Sequence, residues 1–168
     1  MVRFYYTGSE KFAQQQVNPS DSIGGYISGT VVPNNRFSTL FGELPRSLES
    51  IDSIYSTSYR VIGIKNESAN QITGVSVFLE QDSGAFAKIE IAEAPVFLDS
   101  CGDPQLEKLP DQFSQPYNGV FSSPTNISPL SVSNVNANDY IGLYIRRSIN
   151  RINETQEEKI ERIIQDWK

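Results

Sequence analysis

Histidine is absent from this 168-residue sequence. Without an imidazole, the chain cannot build a Ser-His-Asp or Cys-His nucleophilic system, and most zinc sites are excluded as well. Cysteine is nearly absent, since Cys101 is the only one, so no disulfide can form within the chain and a secreted scaffold held by bridges is excluded. These absences predict a protein that is not an enzyme and that holds no cofactor and no metal.

Positive charge is scarce too. The chain carries 14 lysine and arginine residues against 20 aspartate and glutamate residues, which gives a net charge of −6. Such a surface repels a phosphate backbone, so direct binding of nucleic acid is not expected. The densest basic group, Arg146, Arg147 and Arg151, is too small for a basic binding face, and we interpret these arginines as solvated or paired.

Long hydrophobic runs are missing. No apolar stretch approaches the roughly 20 residues that cross a bilayer, and the N-terminal residues lack the apolar core of a secretion signal. We therefore expect a protein that is made and folded in a cytosol and that does not bind membranes. Its stability must come from packing, for which 9 Phe, 8 Tyr and 1 Trp supply large side chains.

Few residues could carry chemistry. Cys101 stands between Asp99 and Asp103, and two neighbouring carboxylates are a poor setting for a reactive thiolate. The same aspartates and Asp111 could offer oxygen ligands to Ca²⁺, but the EF-hand spacing is missing, and we interpret them as solvated loop residues. A glycosidase-like pair of carboxylates stays open, because two such residues need only meet in space.

Short segments with alternating apolar residues dominate what the sequence does contain. Such alternation is typical of half-buried strands. A four-residue connection at 81–84 is typical of a hairpin, and three strands of similar length at close spacing favour an antiparallel meander or sandwich. We expect a mainly β fold, an antiparallel β-sandwich of jelly-roll or immunoglobulin-like type, with strands at 2–6, 59–64, 73–80, 86–92, 130–135 and 140–149.

Long irregular segments are predicted between these strands. Residues 7–20 are polar and should form an arm, residues 31–57 should form loop and short turns, and four prolines disfavour regular structure over 99–128. A loop as long as the last one is often functional. We expect one domain overall, with an N-terminal strand and extended arm at 1–57, a β-sandwich core at 58–150 and a C-terminal helix at 151–168.

The end of the sequence changes to a helical period. Thr155 and Glu158 have the spacing of a capping box. Four apolar residues then recur at i, i+3, i+4 and i+7, which predicts an amphipathic helix of about three turns. This face could dock on the chain's own sheet or on a neighbouring subunit, and the sequence leaves both open. It is formed by Ile160, Ile163, Ile164 and Trp167.

Tyrosines are frequent in the predicted strands and loops. Their rings could together form a platform that stacks on sugars, but most tyrosines in strands pack by the ring and reach water with the hydroxyl. We therefore expect core packing for each of them. The residues concerned are Tyr5, Tyr6, Tyr55, Tyr59, Tyr117, Tyr140 and Tyr144.

Four short strings occur in an order that resembles small virion proteins of tailed bacteriophages. They are Ser-Ile-Gly-Gly-Tyr-Ile-Ser at 22–28, Leu-Phe-Gly-Glu-Leu at 40–44, Tyr-Arg-Val-Ile-Gly-Ile-Lys-Asn at 59–66 and Ile-Gly-Leu-Tyr-Ile-Arg-Arg at 141–147. Together they span most of the chain. The family that the sequence resembles is that of small β-sandwich structural proteins of the neck, tail or capsid, including the ring-type proteins of crAss-like phages of gut Bacteroidales.

The resemblance implies a protein that works through interfaces, with no functional residue carried over. It would be located in the virion, as a ring, neck or tail protein that forms a symmetric homo-oligomer around the portal–tail axis and contacts portal, tail or neck proteins. The alternative is a β-sandwich binding module, similar to a head fibre, decoration protein or adhesin, that recognises a glycan or a host surface protein through residues 99–128. The interface candidates are Ile160, Ile163, Ile164 and Trp167 on the predicted helix, together with Ile23, Tyr26 and Phe41.

Overall fold

The computed structural model of the chain describes residues 1–11, 17–33, 40–41, 57–80 and 87–149. In these ranges the fold is mainly β and contains a large antiparallel sheet, which confirms the coarse prediction of fold class. The predicted C-terminal helix lies outside the described residues. The strands are β1 (Val2–Gly8), β2 (Tyr26–Val31), β3 (Thr57–Asn66), β4 (Ser76–Val77), β5 (Ala87–Ala94), β6 (Val96–Leu98), β7 (Pro104–Leu106), β8 (Leu130–Ser131) and β9 (Tyr140–Ile149), and a single 3-10 turn spans Pro19–Asp21.

Five strands form the main sheet in the order β2-β1-β3-β9-β5, and all neighbours are antiparallel. β3 and β9 have 10 residues each and pair from Thr57 opposite Ser148 to Lys65 opposite Tyr140. Both are rich in Ile, Val and Tyr, which favour strands. Residues 58–64 of β3 are all buried, so this strand is covered on both faces of the sheet.

Two small sheets flank the main one. β4 pairs with β8, and Val75, Val77 and Leu130 of this region pack against one face of the main sheet. β6 pairs with β7, and β7 reaches the residue before β2 through two backbone hydrogen bonds between Gly25 and Leu106, at 3.1 and 2.8 Å. β6 is therefore the outermost strand on this side of the described fold.

The core lies on both faces of the main sheet, because side chains alternate along each strand. Face one holds Tyr6, Ile62, Ile64, Ile141 and Leu143, covered by Val17, Val132 and Val135. Face two holds Tyr59, Val61, Ala92, Ala94 and Tyr144, covered by Leu106 and Leu109.

The strand pairing predicted for the middle of the chain is wrong. β4 pairs with β8 and β5 pairs with β9, so the described residues of 73–80 and 86–92 form no hairpin with each other. The alternation of 73–80 is real, since Val75, Val77 and Leu79 are partly buried between exposed neighbours, although only Ser76–Val77 is strand. Alternation predicts the face that a side chain takes and says nothing about the partner strand.

The predicted arm begins later than residue 7. Thr7 and Gly8 belong to β1 and are buried, because the pairing of β1 with β2 continues to Gly8, which lies opposite Tyr26. Residues 12–16 lie outside the described ranges.

The segment 99–128 is also more ordered than its prolines indicate. It contains β7, in which Pro104 is the first residue, a position where a missing N–H does not interrupt a ladder. Leu106 and Leu109 are buried against face two. This segment therefore supplies part of the core and is only partly a free loop.

Candidate interaction sites

Residues of the string at 22–28 form hydrogen bonds that join the N-terminal strands to β3 at the centre of the sheet. The hydroxyls of Thr7 and Ser22 both donate to the carbonyl oxygen of Val61, at 2.8 and 2.6 Å. The Thr7 hydroxyl oxygen accepts from the backbone N–H of Gly24 at 2.9 Å, and the Val61 N–H donates to the Ser22 carbonyl at 2.8 Å. Both hydroxyls are fully buried, so they hold the backbone together and are not available to a substrate.

The glycine pair in this string allows two other segments to approach closely. Gly24 and Gly25 have φ angles of 107° and 95°, which side chains rarely adopt. A Cβ at Gly24 would lie 1.8 Å from the carbonyl oxygen of Glu107, and one at Gly25 would lie 2.4 Å from that of Gly8. The string at 22–28 therefore has a structural role.

Two of the predicted interface residues belong to this string, and both make contacts within the chain. Ile23 is partly buried and packs against the core of face two. The hydroxyl of Tyr26 donates to the Asp99 carboxylate at 2.7 Å.

Asp99 organises the turn between β6 and β7. Its carboxylate accepts from the backbone N–H groups of Asp103 and Cys101, at 2.9 and 2.8 Å, and from Tyr26. The Lys11 ammonium contacts both Asp99 and Asp103. Bonding to the Asp103 N–H and to Tyr26 lowers the pKa of the Asp99 carboxyl to about 2, so this group is a charged acceptor that the loop already uses. Cys101 is exposed beside it.

Asp111 has a similar structural use. It accepts from the backbone N–H groups of Phe113 and Ser114, each at 2.8 Å, and the Phe113 bond in particular lowers the pKa of the carboxyl. In the part of the chain that the structure describes, no three His, Cys, Asp or Glu side chains gather as a metal site would require.

Most of the tyrosines considered for a sugar platform are packed into the fold. Tyr6, Tyr59 and Tyr144 are buried, and the Tyr144 hydroxyl donates to the Glu107 carboxylate. Tyr5 is also buried at its ring and donates to Glu67, and Tyr140 is partly buried and donates to the Pro104 carbonyl. Tyr55 lies outside the described residues. Tyr117, in contrast, is 89% exposed.

Arg146 is neutralised within the chain. Its Nε and Nη2 both donate to the same carboxylate oxygen of Glu90, at 3.0 and 2.7 Å, and its guanidinium lies 4.4 Å from the ring centre of Phe121. Lys88 contacts the other oxygen of Glu90 at 2.9 Å. The interpretation of this arginine as a paired residue is therefore confirmed by its geometry.

Arg147 lies on the opposite face and joins an arginine that sequence reasoning missed. The guanidinium carbons of Arg60 and Arg147 lie 5.2 and 4.8 Å from the ring centre of Phe41. Phe41, the third predicted interface residue with a described position, is partly buried. The sequence did carry a signal for Arg60, because alternation along β3 places it on the same face as Ile62 and Ile64.

Burial and mutual repulsion act on these two arginines. Arg60 is 1% exposed. Burial, and then the charge of Arg147, lower the pKa of the Arg60 guanidinium to about 10, against a weaker opposing effect of Asp21. Burial also lowers the pKa of Arg147.

Strand β6 exposes three apolar side chains. Val96, Phe97 and Leu98 are 39%, 47% and 70% exposed, although they are consecutive and point to alternating faces. A groove opens beside this strand and is lined by Glu93, Ala94, Pro95, Val96, Asn118, Ser133 and Ile141.

The predicted interface face of the C-terminal segment, Ile160, Ile163, Ile164 and Trp167, lies outside the described residues, as does Arg151. The chain matches no protein-family model, no curated protein and no solved structure. No helix within the described ranges has the length and apolar character needed to span a bilayer.

Proposed function

We propose that this chain is a structural subunit of a tailed-phage virion, a ring, neck or tail protein that assembles through subunit interfaces around the portal–tail axis. In this proposal the described sheets form the core of an antiparallel β-sandwich, and residues 151–168 form an amphipathic helix that contacts a neighbour. The protein would be made in the host bacterial cytoplasm and reside in the virion. Its partners would be further copies of itself and portal, tail or neck proteins. The order of the four short strings supports this proposal.

The exposed strand β6 is the observation that carries it. Three consecutive apolar side chains are exposed on both faces of a strand at the outer edge of the described fold. Natural proteins rarely leave such an edge uncovered, because it invites pairing with other chains. Coverage by an adjacent subunit explains why Phe97 and Leu98 are apolar. It also places a contact near Tyr26, whose partner Asp99 follows β6 directly.

The polar groups of the fold support an interface protein rather than an enzyme. The hydroxyls of Thr7 and Ser22 are bound to backbone atoms, and the carboxylates of Asp99 and Glu90 are bound to the loop and to Arg146. A catalytic group must have a polar atom that can reach the substrate, and its pKa must suit proton transfer. These four groups serve the fold instead.

The test is the mass of the purified full chain in solution, measured by light scattering, alone and mixed with disassembled virion proteins. A closed oligomer, or co-elution with proteins identified as portal, neck or tail components, supports the proposal. The double variant Phe97→Ser/Leu98→Ser should shift the chain to a monomer with an unchanged circular dichroism spectrum. Ile127→Ser, which alters an exposed apolar residue outside β6, is the matched control and should assemble normally. A monomeric wild type that ignores every virion component overturns the proposal.

One observation favours the alternative, a module that binds a glycan or a host surface protein. Tyr117 is 89% exposed in the segment 99–128, and Val120, three positions later, is similarly exposed. An exposed aromatic ring can stack on a sugar. In this case the wild type would bind a glycan array, Tyr117→Ala would lose that binding, and the β6 double variant would keep it.

A further inference from the structure

Two arginine guanidinium groups lie against the ring of Phe41 at one end of face one. Arg147 stands opposite Ser58 in the pairing of β9 with β3, and Arg60 lies two residues further along β3, so both side chains leave the same face of the sheet. Phe41 contacts both guanidinium groups. These three residues form the arginine pair site.

The arginine pair site holds two positive charges and, among the described residues, no carboxylate at ion-pair distance. Arg60 donates to the carbonyl oxygens of Leu40 and Tyr59 and to the side-chain oxygen of Gln112, at 3.1, 2.8 and 2.7 Å. All three acceptors are neutral. The other described arginines on the sheet have carboxylate partners, since Arg3 and Arg146 each contact a glutamate.

Arg147 has a buried N–H donor that needs a hydrogen-bond acceptor. Its Nε is buried and finds no hydrogen-bond acceptor among the described residues. A buried donor without an acceptor is costly, and a buried charge without a counter-charge is more so. Contact with the face of an aromatic ring attracts a cation but provides no acceptor for the Nε–H.

We propose that the arginine pair site binds a carboxylate, with the Nε–H edge of Arg147 as the donor and the charge of Arg60 behind it. A carboxylate oxygen is a strong acceptor for a guanidinium N–H, and Arg146 on the opposite face already donates its Nε–H to one oxygen of Glu90. The chain has an excess of acidic residues to supply the group. The proposal does not depend on a virion function.

The carboxylate has two possible sources, and both are acidic side chains of this protein. One source is the same chain, in which Glu43, Glu49 and Asp52 precede β3 in sequence. The other is a second copy, which would make the arginine pair site part of a subunit contact. The shared chemistry is a side-chain carboxylate on the Nε–H of Arg147.

The experiment is nuclear magnetic resonance of the arginine Nε–H groups in the full-length ¹⁵N-labelled chain, over a dilution series whose assembly state is followed by light scattering. Arg146 serves as the internal reference for a carboxylate-bound group, and Arg147→Gln assigns the Arg147 signal. The expected result is an Arg147 Hε that is shifted downfield and protected from exchange, as that of Arg146 is.

The dilution distinguishes the two sources. If the Arg147 signal keeps its shift in the monomer, the carboxylate belongs to the same chain, and Glu43→Gln, Glu49→Gln or Asp52→Asn should release it. If the shift disappears on dilution, the carboxylate belongs to a second copy, and Arg147→Gln should weaken self-association at least about tenfold, whereas Arg146→Gln should not. An Arg147 Hε that exchanges rapidly at the position of free arginine at every concentration overturns the proposal.

Discussion

At the scale of single residues, Gly24 shows how one position can join three segments of chain. Its N–H donates to Thr7, its φ of 107° lies where side chains are strained, and the Glu107 carbonyl occupies the space of a Cβ. The N-terminal strands, β3 and the segment after β7 therefore meet at a point where only glycine fits.

Gly24→Ala should lower the free energy of unfolding by about 3 kcal/mol, because strained backbone and overpacking each cost about 1–3 kcal/mol. Gly74→Ala is the matched control. Gly74 also has a positive φ, of 67°, but its Cβ would meet no atom within 4 Å. That variant should lose only about 1 kcal/mol, from backbone strain alone. Urea unfolding of both variants checks the prediction, and equal losses would show that the contact with Glu107 is not made.

The sequence was enough to predict what kind of environment a charged side chain has. It was not enough to identify the side chain's spatial neighbours. The pairing of Arg146 could be expected, since charged groups near strand ends are commonly paired. Its partner Glu90 could not be identified, because the two residues are 56 positions apart. The position of Arg60 on the core face was readable from alternation, but its proximity to Arg147 required the pairing of β3 with β9.

At the scale of elements, apolar pattern was enough to find the two longest strands and insufficient to find their partners. β3 and β9 are long and rich in apolar and β-branched residues, so β9 was predicted in full and the central residues 59–64 of β3 were predicted as well. The predicted meander failed because β9 inserts between β3 and β5, after more than 40 intervening residues. β7 was missed because Pro104 and its neighbours read as loop, whereas the strand is short and needs few N–H donors.

In the hairpin of β6 and β7, strand β7 packs against the main sheet and strand β6 is exposed. Leu106 of β7 is buried, and its Cδ2 lies 2.4 Å from where a Cβ on Gly142 of β9 would be. Leu98 of β6 is exposed. Leu106→Ala should lower the free energy of unfolding by about 2–5 kcal/mol, as deletions of buried leucine side chains do.

Leu98→Ala is the control for that prediction and should change stability by no more than about 0.5 kcal/mol in the monomer. Chemical denaturation at low protein concentration measures both. A small effect of Leu106→Ala would mean that the hairpin does not dock on the sheet as described. A large effect of Leu98→Ala in the monomer would mean that β6 is covered by its own chain, which would remove the main support for a subunit interface there.

At the scale of the whole molecule, face two ties distant parts of the chain together through tyrosine hydroxyls. Tyr144, in the centre of β9, donates to Glu107 after β7, and Tyr140 donates to Pro104 within β7. Burial raises the pKa of both hydroxyls, and for Tyr144 the bond to Glu107 and its charge raise it further. The docking of residues 104–109 on the main sheet therefore depends on these hydroxyls remaining protonated.

This dependence predicts a loss of stability in alkali. An unfolded tyrosine ionises near pH 10, while folded Tyr144 stays neutral to a higher pH, so its stabilising effect is complete below pH 10 and is lost as the pH rises above it. The loss for this one residue is about 1.4 kcal/mol per pH unit above 10. Tyr144→Phe cannot ionise there, but it lacks the hydrogen bond to Glu107 and should be about 1 kcal/mol less stable at pH 7.

The unfolding free energies of wild type and Tyr144→Phe should therefore converge near pH 11. Urea unfolding at pH 7, 9 and 11 measures this. Tyr117→Phe is the control, because water surrounds that ring in the folded chain as it does in the unfolded one, and its curve should follow the wild type. Parallel curves for wild type and Tyr144→Phe would show that ionisation of Tyr144 is not coupled to folding.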